Sequence, residues 1–247
     1  MRAFFRTVAA TAIASSMATA AQAADADDKG LYVAVNVGSA SLSDPTITYY
    51  DVGGTFGGAG PTDTANASLD TKSATTFGGT IGYDFGTIRT DLEIQYGRHN
   101  ISSLTLIGLN GTATTLSAAE RADVCDYLEA DTCGGTGNTF TIPGSRVRQL
   151  SAMGNLWLDL PIGGSIVPYA GGGLGISGFE VDGEGKGKFA WQLGAGVAVQ
   201  LSSAFAITAD YRHREVSNTE IAYDNASGFR VSKLKTDSVQ VGLRVMF

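Results

Sequence analysis

The amino-acid sequence predicts an all-β chain: a closed, eight-stranded, antiparallel up-and-down barrel whose strands cross a membrane. Three observations predict it. Eight segments of 8–14 residues alternate apolar and polar side chains with a period of two. The connections between them are alternately short and long. Segment lengths also match the ~9–11 residues that a strand tilted at about 45° needs to cross a bilayer.

The segments follow in order. Residues 31–38 (LYVAVNVG) put Leu31, Val33, Val35 and Val37 on one face. Residues 74–85 align Phe77, Ile81, Tyr83 and Phe85, and residues 88–99 set Ile88, Leu92, Ile94 and Tyr96 against Arg89, Asp91, Glu93 and Gln95. Residues 148–160 align Leu150, Ala152, Leu156, Leu158 and Leu160, and residues 166–179 align Ile166, Ala170, Leu174 and Ile176. Residues 189–200 present Phe189, Trp191, Leu193, Val197 and Val199, and residues 205–216 present Phe205, Ile207, Ala209 and Tyr211. Residues 235–247 close the series with Val239, Val241, Leu243, Val245 and Phe247.

The opposite face carries Asn36, Thr80, Asp84, Arg89, Asp91, Glu93, Gln95, Asn155, Asp159, Gln192, Gln200, Thr208, Asp210, Arg212, Gln240 and Arg244, with many glycines between. Alternation fits a soluble sandwich with its apolar face in the core. It equally fits a membrane barrel with that face toward lipid. The connections favour the barrel. Residues 86–87, 161–165 and 201–204 are short; residues 39–73, 100–147, 180–188 and 217–234 are polar and are expected as outside loops. Tyr83, Phe85, Phe189, Trp191, Phe205, Tyr211 and Phe247 fall near segment ends, as interfacial girdles require.

Composition narrows the class. Charged residues are 17% of 247, against about 25% in soluble domains. Net charge is −7 with no basic run, which argues against nucleic-acid binding. Two cysteines exclude a disulfide-dense scaffold. Residues 1–23 read as a secretory leader: Arg2 and Arg6, an apolar stretch, then Ala21-Gln22-Ala23 as a cleavage site. The mature domain is then 24–247. Export permits a disulfide, and Cys125 and Cys133 are expected to form one beside a short helix at about 118–129, opened by a capping box of Ser117 and Glu120.

The chain end reads Q-V-G-L-R-V-M-F. Gln240, Gly242, Val245 and Phe247 resemble the C-terminal signal by which the outer-membrane assembly machinery recognises barrels. The stretches V-P-Y-A-G-G-G-L-G (167–175), F-A-W-Q-L-G-A-G (189–196), A-D-Y-R-H (209–213) and the terminal V-G-L-R-V-M-F extend the likeness. Over nearly all of 30–247 the chain resembles small outer-membrane barrels of the opacity-type and outer-membrane immunogenic protein family of Gram-negative bacteria. That resemblance implies location in the outer membrane, contact with its lipid and with the assembly machinery, and surface recognition of an extracellular ligand or host surface. It fixes no activity.

Inside eight strands there is room for side chains and little else. Arg89, Arg212, Arg214 and Arg244 are expected to meet Asp91, Glu93, Asp159 and Asp210 in an ion-pair network that plugs the lumen. A narrow ion path is the alternative. An outer-leaflet lipid-modifying enzyme is a second, because His213, Ser217 and Asn218 resemble a lipid A deacylase motif, but with the serine four positions after the histidine where the motif has it two positions after. No catalytic residue, cofactor or metal site is expected.

Overall fold

The computed structural model describes residues 29–43, 45–53, 62–127, 133–141, 144, 146–160, 162, 164–181, 184–223 and 225–247. The leader expected at 1–23 and the end of the helix expected at 128–129 lie outside these residues. In chain order the strands are β1 (Gly30–Leu42), β2 (Thr46–Val52), β3 (Thr62–Thr71), β4 (Ala74–Asp84), β5 (Ile88–Leu109), β6 (Thr112–Ala113), β7 (Thr139–Phe140), β8 (Arg146–Asp159), β9 (Ile166–Val181), β10 (Glu184–Gln200), β11 (Phe205–Val216), β12 (Thr219–Ala222), β13 (Ser227–Val231) and β14 (Leu234–Met246). One helix, Ala118–Tyr127, lies between β6 and β7.

Eight of these strands close a barrel: β1, β4, β5, β8, β9, β10, β11 and β14, each antiparallel to both neighbours, with β14 returning to β1. Closure leaves no ladder edge, the condition for a sheet to stand in hydrocarbon. The registers keep alternation in phase around the wall. Ile94 lies opposite Ala152, and Val241 opposite Val37 and Ala209, all facing out. The outer surface is therefore a belt of exposed apolar side chains, among them Leu92 (67% exposed), Ile94, Leu174 and Val239. A soluble protein does not present such a belt to water.

At the end away from the short turns the wall continues upward. β5, β8, β9 and β10 run on without a break. The other four strands are interrupted at 43–45, 72–73, 217–218 and 232–233, then resume as β2, β3, β12 and β13. Above the interruption the pairing order is β5-β3-β2-β13-β12, matching β5-β4-β1-β14-β11 below. Lys186 on β10 reaches across to β12, its Nζ donating to the Glu220 carbonyl at 2.8 Å.

Here the expected loops need correction. Among the described residues of the expected loops, β2, β3, β12 and β13 and the outer ends of β1, β5, β9 and β10 are strand rather than irregular loop. Period two persists through them, with Ile47, Ala65, Ala67, Leu69, Ile221, Phe229 and Val231 all buried. The runs are short and Pro45 interrupts one of them, so they escape the pattern of a membrane-crossing strand.

The helix forms as its capping box directs. The Ser117 amide donates to Glu120 Oε2 at 2.8 Å, and the Glu120 amide donates to Ser117 Oγ at 3.3 Å. Cys125 and Cys133 are bonded, with Cα atoms 5.8 Å apart. Arg121 ties the helix to the returning chain, donating to the carbonyls of Gly134, Gly137 and Thr139, and its guanidinium covers the Phe140 ring at 4.3 Å.

Candidate functional site

The interior has two tiers of opposite character. The lower tier, within the apolar belt, is polar. β5 sends Arg89, Asp91, Glu93 and Gln95 inward at every second position; β11 sends Asp210, Arg212 and Arg214, and β14 sends Gln240 and Arg244. Facing glycines make room. A Cβ on Gly171 or Gly194 would run into the Trp157 ring, and one on Gly173 into the Asn155 amide.

Arg89 grips Asp159 with two parallel bonds, Nε–Oδ2 at 2.7 Å and Nη2–Oδ1 at 2.8 Å. Arg212 bridges Asp210, 2.8 Å from Nε, and Glu93. Arg214 donates to Glu93 Oε1 at 3.1 Å, to Gln192 Oε1 at 2.7 Å and to Ser151 Oγ at 2.9 Å. Asp210 also accepts from the Tyr169 hydroxyl and from Gln240 Nε2, both at 2.7 Å, and Gln240 Oε1 accepts from Gln95 at 2.9 Å. Arg89, Asp159, Arg212, Arg214, Glu93 and Asp210 are thus each paired, the condition for keeping ions in a low-dielectric bore.

Two expected members of the network behave otherwise. Asp91 forms none of its hydrogen bonds with an arginine. It accepts from neutral donors: Tyr32 OH at 2.7 Å, Asn155 Nδ2 at 2.7 Å and Trp157 Nε1 at 2.9 Å. Its carboxylate bonds aromatic and amide tips, while Arg89, Arg212 and Arg244 line the same small cavity without bonding it. Arg244 makes no salt bridge among the described residues; its guanidinium lies over the Tyr32 ring at 5.7 Å, with Nε and Nη1 lacking hydrogen-bond partners. The aromatic part of the plug, Tyr32, Trp157 and Tyr169, was missed in the sequence. Tyr32 was readable, because Leu31 and Val33 flank it on the outward face. The cavity left among these side chains is about 30 Å³, lined in part by Asn36, Arg89, Asp91 and Arg244. That is room for about one water.

The remaining expected positions lie elsewhere. Gln240 and Gly242 face inward on the closing strand β14, and the Phe247 amide donates to the Leu31 carbonyl at 2.8 Å. His213 faces outward. Its Nδ1 lies 2.8 Å from Asp237 Oδ1, which also accepts from Tyr211 at 2.5 Å, and its ring lies against Trp191. The Ser217 amide is bonded to the Phe189 carbonyl, and no hydrogen bond joins His213 to Ser217 among the described residues. The deacylase-like spacing therefore does not bring a base to a nucleophile here. No group of metal-ligating side chains occurs among the described residues.

The upper tier is apolar inside. Leu42, Ile47, Leu69, Leu104, Phe140, Val147, Phe179, Phe229, Val231 and Leu234 pack there as one buried cluster. Sequence reasoning missed this chamber because its residues come from segments assigned to loops.

A family model described as outer membrane protein beta-barrel domain matches residues 10–247. An uncharacterised protein of Brucella abortus strain 2308 is 27% identical over 165 residues, covering 59% of this chain and 53% of the relative. The chain thus spans about half the length of that relative. Among solved structures, Neisserial surface protein A aligns over 88% of this chain and 97% of its own, with a TM-score of 0.51 at 14% identity. The outer membrane protein OprG from Pseudomonas aeruginosa gives the same coverage and TM-score at 13% identity. At these identities the likeness is one of fold.

Proposed function

The chain belongs to the outer membrane protein beta-barrel domain family, and from that premise we propose that it is a non-conducting outer-membrane anchor that presents a folded extracellular tier for surface recognition. One observation carries the reading: the bore is filled by paired charges, amides and aromatic rings while the tier above it is built as structure in its own right. A channel needs the first to be open. A mere turn between strands needs none of the second. Long, ordered segments on a rigid scaffold are where binding resides.

In this reading residues 1–23 are removed on export and 24–247 form the mature barrel. Gln240, Gly242, Val245 and Phe247 address it to the assembly machinery. Its partners are outer-membrane lipid and an extracellular ligand or host surface, with no catalysis.

The experiment compares cells carrying the intact chain with cells in which residues 46–71 and 219–231 are replaced by short glycine-serine turns. Adhesion to cultured host cells is expected to fall to background in the second strain while the barrel still resists detergent on an unboiled gel. In planar bilayers the purified protein is expected to give no conductance steps. Equal adhesion by both strains, or steady single-channel steps from the intact chain, would overturn the reading.

A further inference from the structure

We propose that the inside of the upper tier is a binding chamber for one small, uncharged, apolar molecule, of the bulk of a substituted benzene. The proposal rests on the extracellular placement of that tier and not on what its outer surface recognises.

The chamber has a volume of about 220 Å³. Its wall comes from unbroken and interrupted strands together: Val147 on β8 and Phe179 on β9 face Ile47, Leu69, Phe229 and Leu234. All six of these are buried or line the void with aliphatic or aromatic surface. Protein interiors are ordinarily packed to crystal density, so a void of this size is a feature of the site. An apolar cavity of about 150 Å³ stays dry and takes up benzene, and this one is larger. Water entering it would find few polar partners, so an apolar occupant is favoured over solvent.

The lining also sets what is excluded. The lining residues include no charged side chain, and the polar side-chain groups among them are the hydroxyls of Tyr49 and Tyr223. A carboxylate or ammonium would lose its hydration there without compensation. Tyr223 is 56% exposed, so the chamber reaches solvent along that residue. Below, the floor is closed by hydrogen-bonded polar side chains: Gln149 donates to Ser177 at 3.1 Å, Ser151 and Ser177 lie 2.8 Å apart, and Thr236 donates to Gln149 at 3.3 Å. The charged plug lies beneath that layer. An apolar molecule that enters from outside therefore meets a dead end. The geometry is that of retention rather than passage.

The test is a fluorine NMR titration of fluorobenzene against the full chain in lipid nanodiscs, with empty nanodiscs measuring lipid partition. The intact chain is expected to give a saturable shift above that background. Leu69→Trp and Val231→Phe, which fill the chamber to different extents, are expected to abolish it. Both are scored first for the detergent-resistant gel shift, so that the milder variant decides if the bulkier one fails to fold. The anion 4-fluorobenzoate is expected to give no saturable shift. A wild-type shift no greater than that of empty nanodiscs, full binding by a folded filled variant, or equal binding of 4-fluorobenzoate would each overturn the proposal. Loss of cell adhesion would leave the titration unchanged, so the two readings fail separately.

Discussion

Replacing Arg89, Asp159 or both by leucine tests whether the lower tier is a set of mutually dependent buried charges. The pair is well over nine-tenths buried, with two bonds of 2.7 and 2.8 Å. A hydrogen bond to a charged group contributes about 1.5–3 kcal/mol, so two bonds amount to roughly 3–6 kcal/mol. Removing one partner of a buried pair costs about 3–5 kcal/mol, because the other charge is left without compensation. Removing both leaves no orphan, and a well-packed apolar pair is often neutral or stabilising. Arg89→Leu and Asp159→Leu are each expected to lose about 4 kcal/mol, and the double variant no more than about 1. With a slope of about 2 kcal/mol per M urea, each single variant should unfold about 2 M earlier than the intact chain. The assay is urea unfolding in phospholipid vesicles followed by tryptophan fluorescence, which reports on Trp157, itself within the plug. Single variants that each cost under about 1 kcal/mol, or a double variant whose cost equals the sum of the two, would refute the reasoning.

Three other outcomes are expected. Leu92→Arg places a charge on the belt-facing lower part of β5, and should cost about 2–4 kcal/mol in a bilayer; the same vesicle unfolding measures it, and a neutral result would contradict lipid contact. Breaking the disulfide with Cys125→Ser and Cys133→Ser should remove about 2.5 kcal/mol of loop constraint locally, seen as faster proteolysis between residues 114 and 139 while the gel shift of the barrel stays intact. Glu120 is held below its ordinary carboxyl range by its bonds with Ser117. Because the folded value is depressed, its support of the helix is fully present above about pH 4.5 and drains as pH falls through the folded value. The protection of the Ser117 amide, its exchange rate relative to the intrinsic rate at each pH, should therefore fall below that pH, and Glu120→Gln should flatten the dependence.

Much of the barrel was legible because lipid and lumen impose opposite demands on alternate residues. Ile88, Leu92 and Ile94 against Arg89, Glu93 and Gln95 announce strand, phase and inward face in a single run. The plug was legible as a list of charges but not as a set of pairs. Which carboxylate meets which arginine depends on strand stagger across the bore, and Asp91 shows this by taking Tyr32, Asn155 and Trp157 instead. The upper tier was illegible for another reason. β2, β12 and β13 are 7, 4 and 5 residues long, too short to cross a membrane. The pairing that joins them across the tier is far off in sequence, with Val231 opposite Ile47. A short alternating run among Gly, Thr and Asp reads as loop until its neighbours are known. The capping box needed no such knowledge, since Ser117 and Glu120 are three residues apart.

Whether the apolar belt meets lipid is settled most directly by gel mobility of the chain recovered from outer-membrane fractions, unboiled and boiled in the same detergent. A closed barrel stabilised by lipid should be found in that fraction and should migrate differently before and after boiling. Recovery as a soluble periplasmic protein with one mobility in both samples would contradict it, since Leu92, Ile94, Leu174 and Val239 would then stand in water.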